Sequence, residues 1–203
     1  MHPALGVVIG YILGSIPFAY LAGRITRGID LRQHGSGNLG ATNVYRTLGW
    51  QTAVVVFLLD VLKGAAPVLI VRRFGVGDHL NAWAIAAGVA AIAGHAKPIF
   101  LLWRGGGKGV ATATGVFLAL APIPTLVAVA TWAAVVAVTG YVSLGSLLAA
   151  VALPIAIAIL LGVHAIVFPV AIAIAVFVFW SHRANIGRLR RGEEHRFGRK
   201  ASA

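Results

Sequence analysis

From Gly109 to Ser181 the chain contains no Asp, Glu, Lys or Arg, a run of 73 residues. Three more apolar stretches precede it, at 3–23, 52–71 and 80–103, and each is long enough for the roughly 20 residues of a bilayer-spanning helix. The chain is 59% hydrophobic with a mean hydropathy of +0.90, well above an ordinary globular domain. These features predict an all-α fold, a polytopic transmembrane helix bundle, and exclude a soluble globular protein.

Breaks in the apolar pattern divide the chain into about seven helices, if short or half-spanning ones are included. The three stretches above provide the first three, and Pro98 and Gly105 end the third. The helices expected after them are a half-spanning helix beyond Lys108 and crossings at 125–139, 142–161 and 163–181. A short helix over 41–48 is expected to lie on the membrane. We predict one integral membrane domain, 1–203, with a basic cytoplasmic tail over 182–203.

Charged residues are few and mostly basic. The net charge is +12, and seven of the 17 Lys and Arg lie between residues 183 and 200. Basic residues beside a membrane segment attract anionic lipids, so we expect membrane lipids as partners and no nucleic acid. Arg24, Arg27 and Arg32 follow the first apolar stretch, and because positive loops stay inside, the N-terminus is expected outside. The absence of Cys excludes disulfides, iron–sulfur clusters and Cys-ligated zinc.

Three polar islands interrupt the apolar chain, at 34–43, 94–112 and 182–189, and are called the first, second and third islands below. Glycines let backbone N–H groups approach an anion closely, and Lys and Arg supply positive charge. We therefore expect the three islands to meet at one membrane face and form a phosphate-handling site. That arrangement requires an even number of crossings between the second and third islands.

The second island is not a nucleotide P-loop. Leu102 stands where that motif needs its first Gly, and Gly109 stands where it needs Ser or Thr. What remains is a glycine cluster around Lys108 that leads into an apolar helix, and phosphate binds favourably at a helix N-terminus. Alone this pattern is a weak signal, but together with the other two islands it favours a phosphate-binding loop over the alternative, a flexible turn at the membrane interface.

Only five acids are present, and no His is followed by Asp at the His-x-x-x-x-Asp spacing of many acyl-CoA-dependent glycerolipid acyltransferases. The His residues also lack metal-ligand spacing, so no metal site is expected. Any general base must be His, a phosphate oxygen of the substrate or an acid brought close by folding. Asp60 and Lys63 lie inside an apolar segment at i, i+3 spacing, which leaves a functional role and a plain ion pair equally open.

Together these motifs resemble one family over nearly the whole chain. Its first motif is similar to Gly35-Ser-Gly-Asn-Leu-Gly-Ala-Thr-Asn43, its second to Gly94-His95 with Gly106-Gly-Lys-Gly-Val-Ala-Thr112, and its third to 182–194. The chain thus resembles the bacterial acyl-phosphate:glycerol-3-phosphate acyltransferases, integral membrane enzymes of phospholipid synthesis. One departure is an extra Gly, since three glycines rather than two stand between Arg104 and Lys108.

The resemblance implies transfer of a fatty acyl group from acyl phosphate to the 1-hydroxyl of glycerol 3-phosphate, the first acylation step of phospholipid synthesis. The products would be lysophosphatidic acid and phosphate, with no cofactor, at the cytoplasmic face of the bacterial inner membrane. The residues it implies as catalytic are Ser36, Lys108, His182 and Asn185. Those implied as substrate-binding are Gly37, Asn38, Thr42, Asn43, Arg46, His95, Gly105, Gly106, Gly107, Gly109, Thr112 and Arg183. Structural roles are expected for Asp60, Lys63 and Glu194.

Two other classes of protein fit part of the pattern. A transporter for a phosphorylated solute also needs apolar helices and basic phosphate ligands, but it favours paired repeats and polar residues at mid-membrane. No repeat is evident, and the stretch 109–181 offers a solute pathway almost nothing polar. A lipid-binding scaffold gives no reason for three polar motifs. The sequence therefore favours the enzyme.

Overall fold

The computed structural model describes residues 1–197, and every regular element among them is helical, without a β-strand. This confirms the predicted all-α fold. The chain divides into two compact units, Met1–Leu120 and Ala121–Ala203, which are described separately. The single domain over 1–203 stays a prediction.

The first unit contains six α-helices. They are α1 Pro3–Gly14, α2 Phe18–Arg27, α3 Ala41–Leu48, α4 Trp50–Phe74, α5 Leu80–Ala96 and α6 Val110–Leu120, with short 3-10 turns at Leu31–Gln33 and Ile99–Leu101. The short helix predicted over 41–48 is confirmed. The half-spanning helix is confirmed as α6, whose 11 residues rise only about 16 Å at 1.5 Å per residue.

The first apolar stretch is not the continuous helix predicted over 3–23. It is broken after Gly14, and α2 begins at Phe18 and continues to Arg27. Pro17 lies at the break, lacks an N–H and disfavours helical geometry at the residue before it. The crossing predicted for this stretch is confirmed as Pro3–Arg27, but the break at Pro17 was not predicted, because the prediction considered charge alone.

Small residues let the helices of the first unit pack closely. A Cβ added at Gly10 or Gly14 would collide with the backbone of α5, at Ala87 and Ala91 respectively. A Cβ at Gly64 of α4 would similarly collide with the backbone of α6 at Thr112. This spacing of small residues is typical of membrane helices in close contact, and it holds α1, α4, α5 and α6 against each other.

The two ends of the first unit are distinct. The N-terminal ammonium of Met1 donates to Phe74 O at 3.0 Å, and Val76 N donates to Met1 O at 3.2 Å. The N-terminus therefore lies beside the α4–α5 turn. Because α4 has 25 residues and rises about 37 Å, the loop that precedes it lies at the opposite end.

The second unit contains four α-helices among its described residues, α7 Pro122–Thr139, α8 Val142–Leu160, α9 Val167–Ser181 and α10 Arg183–Arg190. Pro122 stands at the start of α7, where its missing N–H is tolerated, and Gly140 ends the helix in a left-handed conformation at φ 75°. The crossings predicted at 125–139 and 142–161 are confirmed with small shifts of their ends. The helix predicted over 163–181 begins only at Val167 and has 15 residues, too few for a span of its own.

Part of the predicted solvated tail is folded. Residues 183–190 form α10, Phe197 N donates to Gly140 O at 2.6 Å, and the guanidinium of Arg196 stacks on Tyr141 at 5.0 Å from the ring centre. The segment is folded, yet Arg190, Arg191 and Arg196 remain exposed, as expected of a solvated face. The predicted tail residues Arg199 and Lys200 lie outside the described residues.

Five helical segments in residues 1–197 are long and apolar enough to cross a membrane, or six if α9 and α10, bent by 59°, form one broken span. The five are Pro3–Arg27, Trp50–Phe74, Leu80–Leu101, Pro122–Thr139 and Val142–Leu160. The chain is a multi-pass integral membrane protein.

Candidate functional site

The first island is folded around the side chain of Asn43, which is 2% exposed. Its Nδ2 donates to His34 O at 3.1 Å and Leu31 O at 3.3 Å, and its Oδ1 accepts from Ser36 N at 2.9 Å. A substrate contact was predicted for Asn43, but the amide is engaged with the backbone of its own loop. These contacts favour a structural role, in which Asn43 holds the loop that carries Ser36.

Apolar contacts anchor the same loop to the helices. Leu31, Leu39 and Val44 are almost completely buried and form one cluster with Val56 of α4. The side chain of Ser36, in contrast, is exposed. Thr42 and Arg46 lie four residues apart on α3 and so share a helix face, with Arg46 exposed and Thr42 half-buried. The hydroxyl of Ser36 and the guanidinium of Arg46 are therefore exposed on a segment that buried apolar side chains anchor to the helices.

The first and second islands are in direct contact. Asn38 Nδ2 donates to Gly106 O at 3.2 Å, and Leu39 N lies 3.4 Å from the same oxygen. Arg32 also reaches the second island, where its Nη1 donates to Arg104 O at 3.1 Å. The structure therefore brings together the predicted residues of these two islands, which lie 68 positions apart at Asn38 and Gly106.

Arg32 is itself held by an acid that the sequence reasoning passed over. Asp30 pairs with Arg32 at 2.6 Å and also accepts from its backbone N at 3.0 Å. The hydrogen bonds from Arg32 hold the pKa of the Asp30 carboxyl below its usual value. The only sequence signal was the spacing of the two residues, which permits a local pair.

The glycines of the second island fit closely against the C-terminal end of α5. A Cβ at Gly106 would collide with Ala96 O, and one at Gly107 would overlap His95 Nε2. Gly107 N donates to His95 O at 3.2 Å. Gly105 and Gly109 have φ of 79°, the left-handed region that favours glycine. Close packing as well as backbone conformation thus explains the glycines, and Lys108, half-buried, stands just before α6.

Thr112, for which a substrate contact was predicted, is completely buried in α6. Its Oγ1 accepts or donates no hydrogen bond within the described part of the chain. The backbone of Thr112 instead forms the close contact with Gly64. The structure gives this predicted contact no support, because a substrate would have to separate two packed helices to reach it.

Three buried ionisable side chains lie next to the second island. Lys63 Nζ is 2.7 Å from Asp60 Oδ1, His95 Nδ1 is 3.6 Å from the same oxygen, and none of the three residues is more than 7% exposed. Lys63 Nζ also donates to Ile16 O at 2.8 Å, in the break between α1 and α2. Asp60 and Lys63 are therefore an ion pair, and the nearby His95 is a partner that sequence spacing could not reveal.

A small cleft opens beside this cluster. It encloses about 200 Å³ including space open to solvent, and its walls come from the α1–α2 break, α4, the end of α5 and both islands. The lining residues are Gly14, Ser15, Ile16, Pro17, Phe18, Leu39, Asp60, Lys63, His95, Pro98, Gly106 and Gly107. The cleft is small and partly open to solvent.

The third island lies in the second unit, where α9 meets α10. His182 is 3% exposed, and its Nδ1 lies 2.8 Å from Val178 O. Since a carbonyl oxygen can only accept, Nδ1 carries a proton. Arg183, for which a substrate contact was predicted, is exposed, stacks on Trp180 and donates to Trp180 O at 3.1 Å.

Asn185 is oriented by Glu194. Asn185 Nδ2 donates to Glu194 Oε1 at 2.6 Å, Ser143 Oγ donates to the same oxygen at 2.9 Å, and Arg188 Nε donates to Oε2 at 2.6 Å. Burial alone would raise the pKa of the Glu194 carboxyl, but the hydrogen bonds from Asn185, Arg188 and Ser143 outweigh it and lower that pKa. These contacts support the structural role predicted for Glu194. That the third island joins the other two in one site stays a prediction.

Within residues 1–197 no group of three His, Cys, Asp or Glu side chains is arranged to hold a metal ion. The donors at the first and second islands are instead amides, a hydroxyl, glycine backbone and basic side chains. Such groups bind anions, and phosphate in particular.

Known proteins resemble the chain over almost its whole length. A family model described as glycerol-3-phosphate acyltransferase matches residues 4–192. A glycerol-3-phosphate acyltransferase of Geobacter sulfurreducens is 48% identical over 195 residues, covering 93% of this chain and 94% of its own. One of Synechococcus sp. (strain CC9902) is 47% identical over 197 residues, covering 97% and 96%.

The fold is also similar to a solved one. The crystal structure of PlsY, an integral membrane glycerol 3-phosphate acyltransferase, in its glycerol 3-phosphate form has a TM-score of 0.87 and 41% identity, covering 97% of this chain and 96% of that one. Its lysophosphatidic acid form has a TM-score of 0.84 and 40% identity, covering 97% and 95%. The match of the family model over residues 4–192 and these relatives show that the chain belongs to the glycerol-3-phosphate acyltransferase family.

Proposed function

We propose that this protein transfers a fatty acyl group from acyl phosphate to the 1-hydroxyl of glycerol 3-phosphate, giving lysophosphatidic acid and phosphate. The observation that carries the proposal is the contact between the first and second islands, Asn38 and Leu39 against Gly106. This contact joins the first island, which carries the exposed Ser36 and is followed by Arg46 on α3, to the glycine loop that leads to Lys108. Both substrates carry a phosphate that such groups bind.

The acceptor and the product are supported by the solved relatives. One form of PlsY holds glycerol 3-phosphate and the other lysophosphatidic acid, at about 40% identity to this chain. An acyl chain needs an apolar environment, and the membrane-length helices of the chain supply one.

The donor is inferred from the chemistry that the chain lacks. No carboxylate lies in the glycine-rich parts of the islands, and no His-x-x-x-x-Asp pair is present to activate the acceptor hydroxyl. An acyl phosphate is already activated, so the protein has only to position it and stabilise charge. The glycerol oxygen forms a bond to the acyl carbon, and the bond from that carbon to the phosphate oxygen breaks. The departing phosphate takes the hydroxyl proton.

Each residue has a proposed role in this reaction. Lys108 and the glycine N–H groups hold a substrate phosphate, while Ser36, Asn38 and Arg46 hold the glycerol phosphate or the acyl-phosphate headgroup. His182 and Asn185 of the third island orient the substrate. We place the site at the cytoplasmic face of the bacterial inner membrane, because Arg24, Arg27 and Arg32 stand near the first island.

Purified protein in detergent tests the proposal. Phosphate release from palmitoyl phosphate should require glycerol 3-phosphate, with lysophosphatidic acid formed in equal amount by mass spectrometry. Palmitoyl-CoA in place of palmitoyl phosphate should give no product. Release that is independent of glycerol 3-phosphate would contradict acyl transfer, and equal rates with palmitoyl-CoA would contradict the donor.

A further inference from the structure

The roles proposed above involve none of the three side chains of the buried cluster Asp60, Lys63 and His95, although the family resemblance implies a substrate contact for His95. Asp60 is 1% exposed, Lys63 5% and His95 7%, and all three lie on membrane-length helices. An ionisable group inside a membrane helix is expensive to bury and marks a functional region by default. A plain ion pair accounts for two of the three residues but not for His95.

His95 connects Asp60 to the glycine loop. Its Nδ1 is 3.6 Å from Asp60 Oδ1, and on its other side a Cβ at Gly107 would overlap Nε2. The imidazole therefore lies between the carboxylate and the Gly107 backbone. Gly107 N also donates to His95 O at 3.2 Å. The position of the ring thus limits where the backbone of Gly106 and Gly107 can lie.

Lys63 connects Asp60 to the break in the first membrane segment. Its Nζ lies 2.7 Å from Asp60 Oδ1 and donates to Ile16 O at 2.8 Å. Carbonyl groups at a break inside a membrane segment need a partner, and Lys63 supplies one. Asp60 is thus the common partner of two residues. Lys63 also contacts the break between α1 and α2, and His95 also contacts the glycine loop.

The geometry leaves Asp60 dependent on these two partners. Both of its carboxylate oxygens are buried, and neither accepts a well-aligned hydrogen bond within residues 1–197. The carboxylate is therefore held by the charges and positions of Lys63 and His95 rather than by a backbone cap. The cleft beside it is lined by Gly106 and Gly107 on one side and by the break on the other. A shift of His95 would change the shape of that cleft.

We propose that Asp60 is a positioning residue for phosphate binding, acting through His95 to fix the backbone of Gly106 and Gly107. The proposal rests on the proposed function, since it takes the glycine loop as a phosphate ligand. Loss of Asp60 should weaken binding of the substrate whose phosphate the loop holds. It should leave binding of the other substrate unchanged.

The test uses the purified full chain with three variants, Asp60→Asn, His95→Gln and the double variant. We expect Asp60→Asn to raise KM at least about fivefold for one of the two substrates and to leave the other KM within about twofold. Because Asp60 acts through His95, the double variant should have the KM of His95→Gln within about twofold. The matched control is Asp78→Asn, an exposed acid in the α4–α5 turn, which should behave like the wild type.

Asp60→Asn leaves Lys63 buried without its carboxylate, and such a loss can unfold a protein. A purely structural role would lower the folded fraction and with it the maximal rate, while both KM values stayed unchanged. The variant Asp60→Asn with Lys63→Met removes both charges and should fold. A raised KM in that variant supports positioning, and return of the KM to the wild-type value overturns it.

Two further results would overturn the proposal, namely unchanged KM values in folded Asp60→Asn, or additive effects of Asp60→Asn and His95→Gln. Failure of the proposed function gives a different result. If the wild-type protein shows no phosphate release that depends on glycerol 3-phosphate, both the proposed function and the positioning role are wrong. If the wild type is active and Asp60→Asn has unchanged KM values, only the positioning role is wrong.

Discussion

Glu194→Ala should destabilise the protein strongly, although Glu194 lies in a basic segment near the end of the chain. The carboxylate accepts hydrogen bonds from Asn185, Ser143 and Arg188 at 2.6–2.9 Å, and its side chain is 3% exposed. Each buried donor left without an acceptor costs about 1–3 kcal/mol. Arg188 is 32% exposed, so water replaces much of its bond, and it adds little.

Taking Asn185 and Ser143 alone, at about 1.5 kcal/mol each, we expect a loss of about 3 kcal/mol. For a chain of this length, 1 kcal/mol changes the melting temperature by about 2–4 °C, so a decrease of roughly 6–12 °C is expected. The assay is thermal unfolding of purified protein in detergent. Glu193→Ala is the matched control, because the Glu193 side chain is 56% exposed and its one ion pair within residues 1–197 is with Arg191, so its loss should change the melting temperature by less than about 2 °C. Equal melting temperatures for the two variants would refute the reasoning.

Three other predictions concern pH, Lys108 and metal ions. Because the folded-state pKa of Glu194 is lowered, its stabilisation is complete above the unfolded pKa of about 4.3, and the melting-temperature gap between wild type and Glu194→Ala should shrink only as pH falls below that value. A gap that is constant down to acid pH would contradict the ionised state. Lys108→Ala should lower kcat/KM about 100-fold or more in the phosphate-release assay, whereas exposed Lys97→Ala should stay within about twofold. Activity should survive EDTA and need no nucleotide; loss on chelation that Mg²⁺ restores would reveal a metal site.

The apolar pattern predicted α7 and α8 well because Pro122, Gly140 and Gly162 punctuate it at the helix ends. The break in the first segment was missed because an uncharged run looks continuous, and only Pro17 marks it. The fold of residues 183–197 was missed for a related reason. A segment rich in Arg resembles a solvated tail, and the acceptor that organises it, Glu194, bonds to Ser143, 51 positions away.

For the site, the sequence predicted that the first and second islands meet, and they do at Gly106. Motif composition was a sufficient guide because glycines, amides and cations share one chemistry, the binding of anions. Motif composition does not separate ligands from scaffold, since Asn43 and Thr112 have the residue types of ligands although the structure buries both side chains. The sequence also did not predict that Asp60 contacts His95, because the two residues lie on different helices, α4 and α5, and their spacing along the chain does not reveal a tertiary contact.

The central claim is that all three islands face the cytoplasm and form one site, and single-Cys labelling tests it. The chain has no native Cys, so each introduced thiol is the only one. The Cys is introduced at an exposed position in or beside each island, namely Gln33, Arg104 and Ala184. Leu39 is unsuitable, because it is 3% exposed and a thiol there would not react. A Cys at Val76, which is 72% exposed and lies in the turn beside the N-terminus, reports on the opposite side of the membrane.

In intact cells an impermeant thiol reagent should label Cys at Val76 and leave the other three unlabelled. After permeabilisation, Cys at Gln33, Arg104 and Ala184 should all react. This is the result that the positive residues after the first segment predict. If Cys at Gln33 and at Ala184 react from opposite sides of the membrane, the three islands cannot form one site, and the proposed mechanism is wrong.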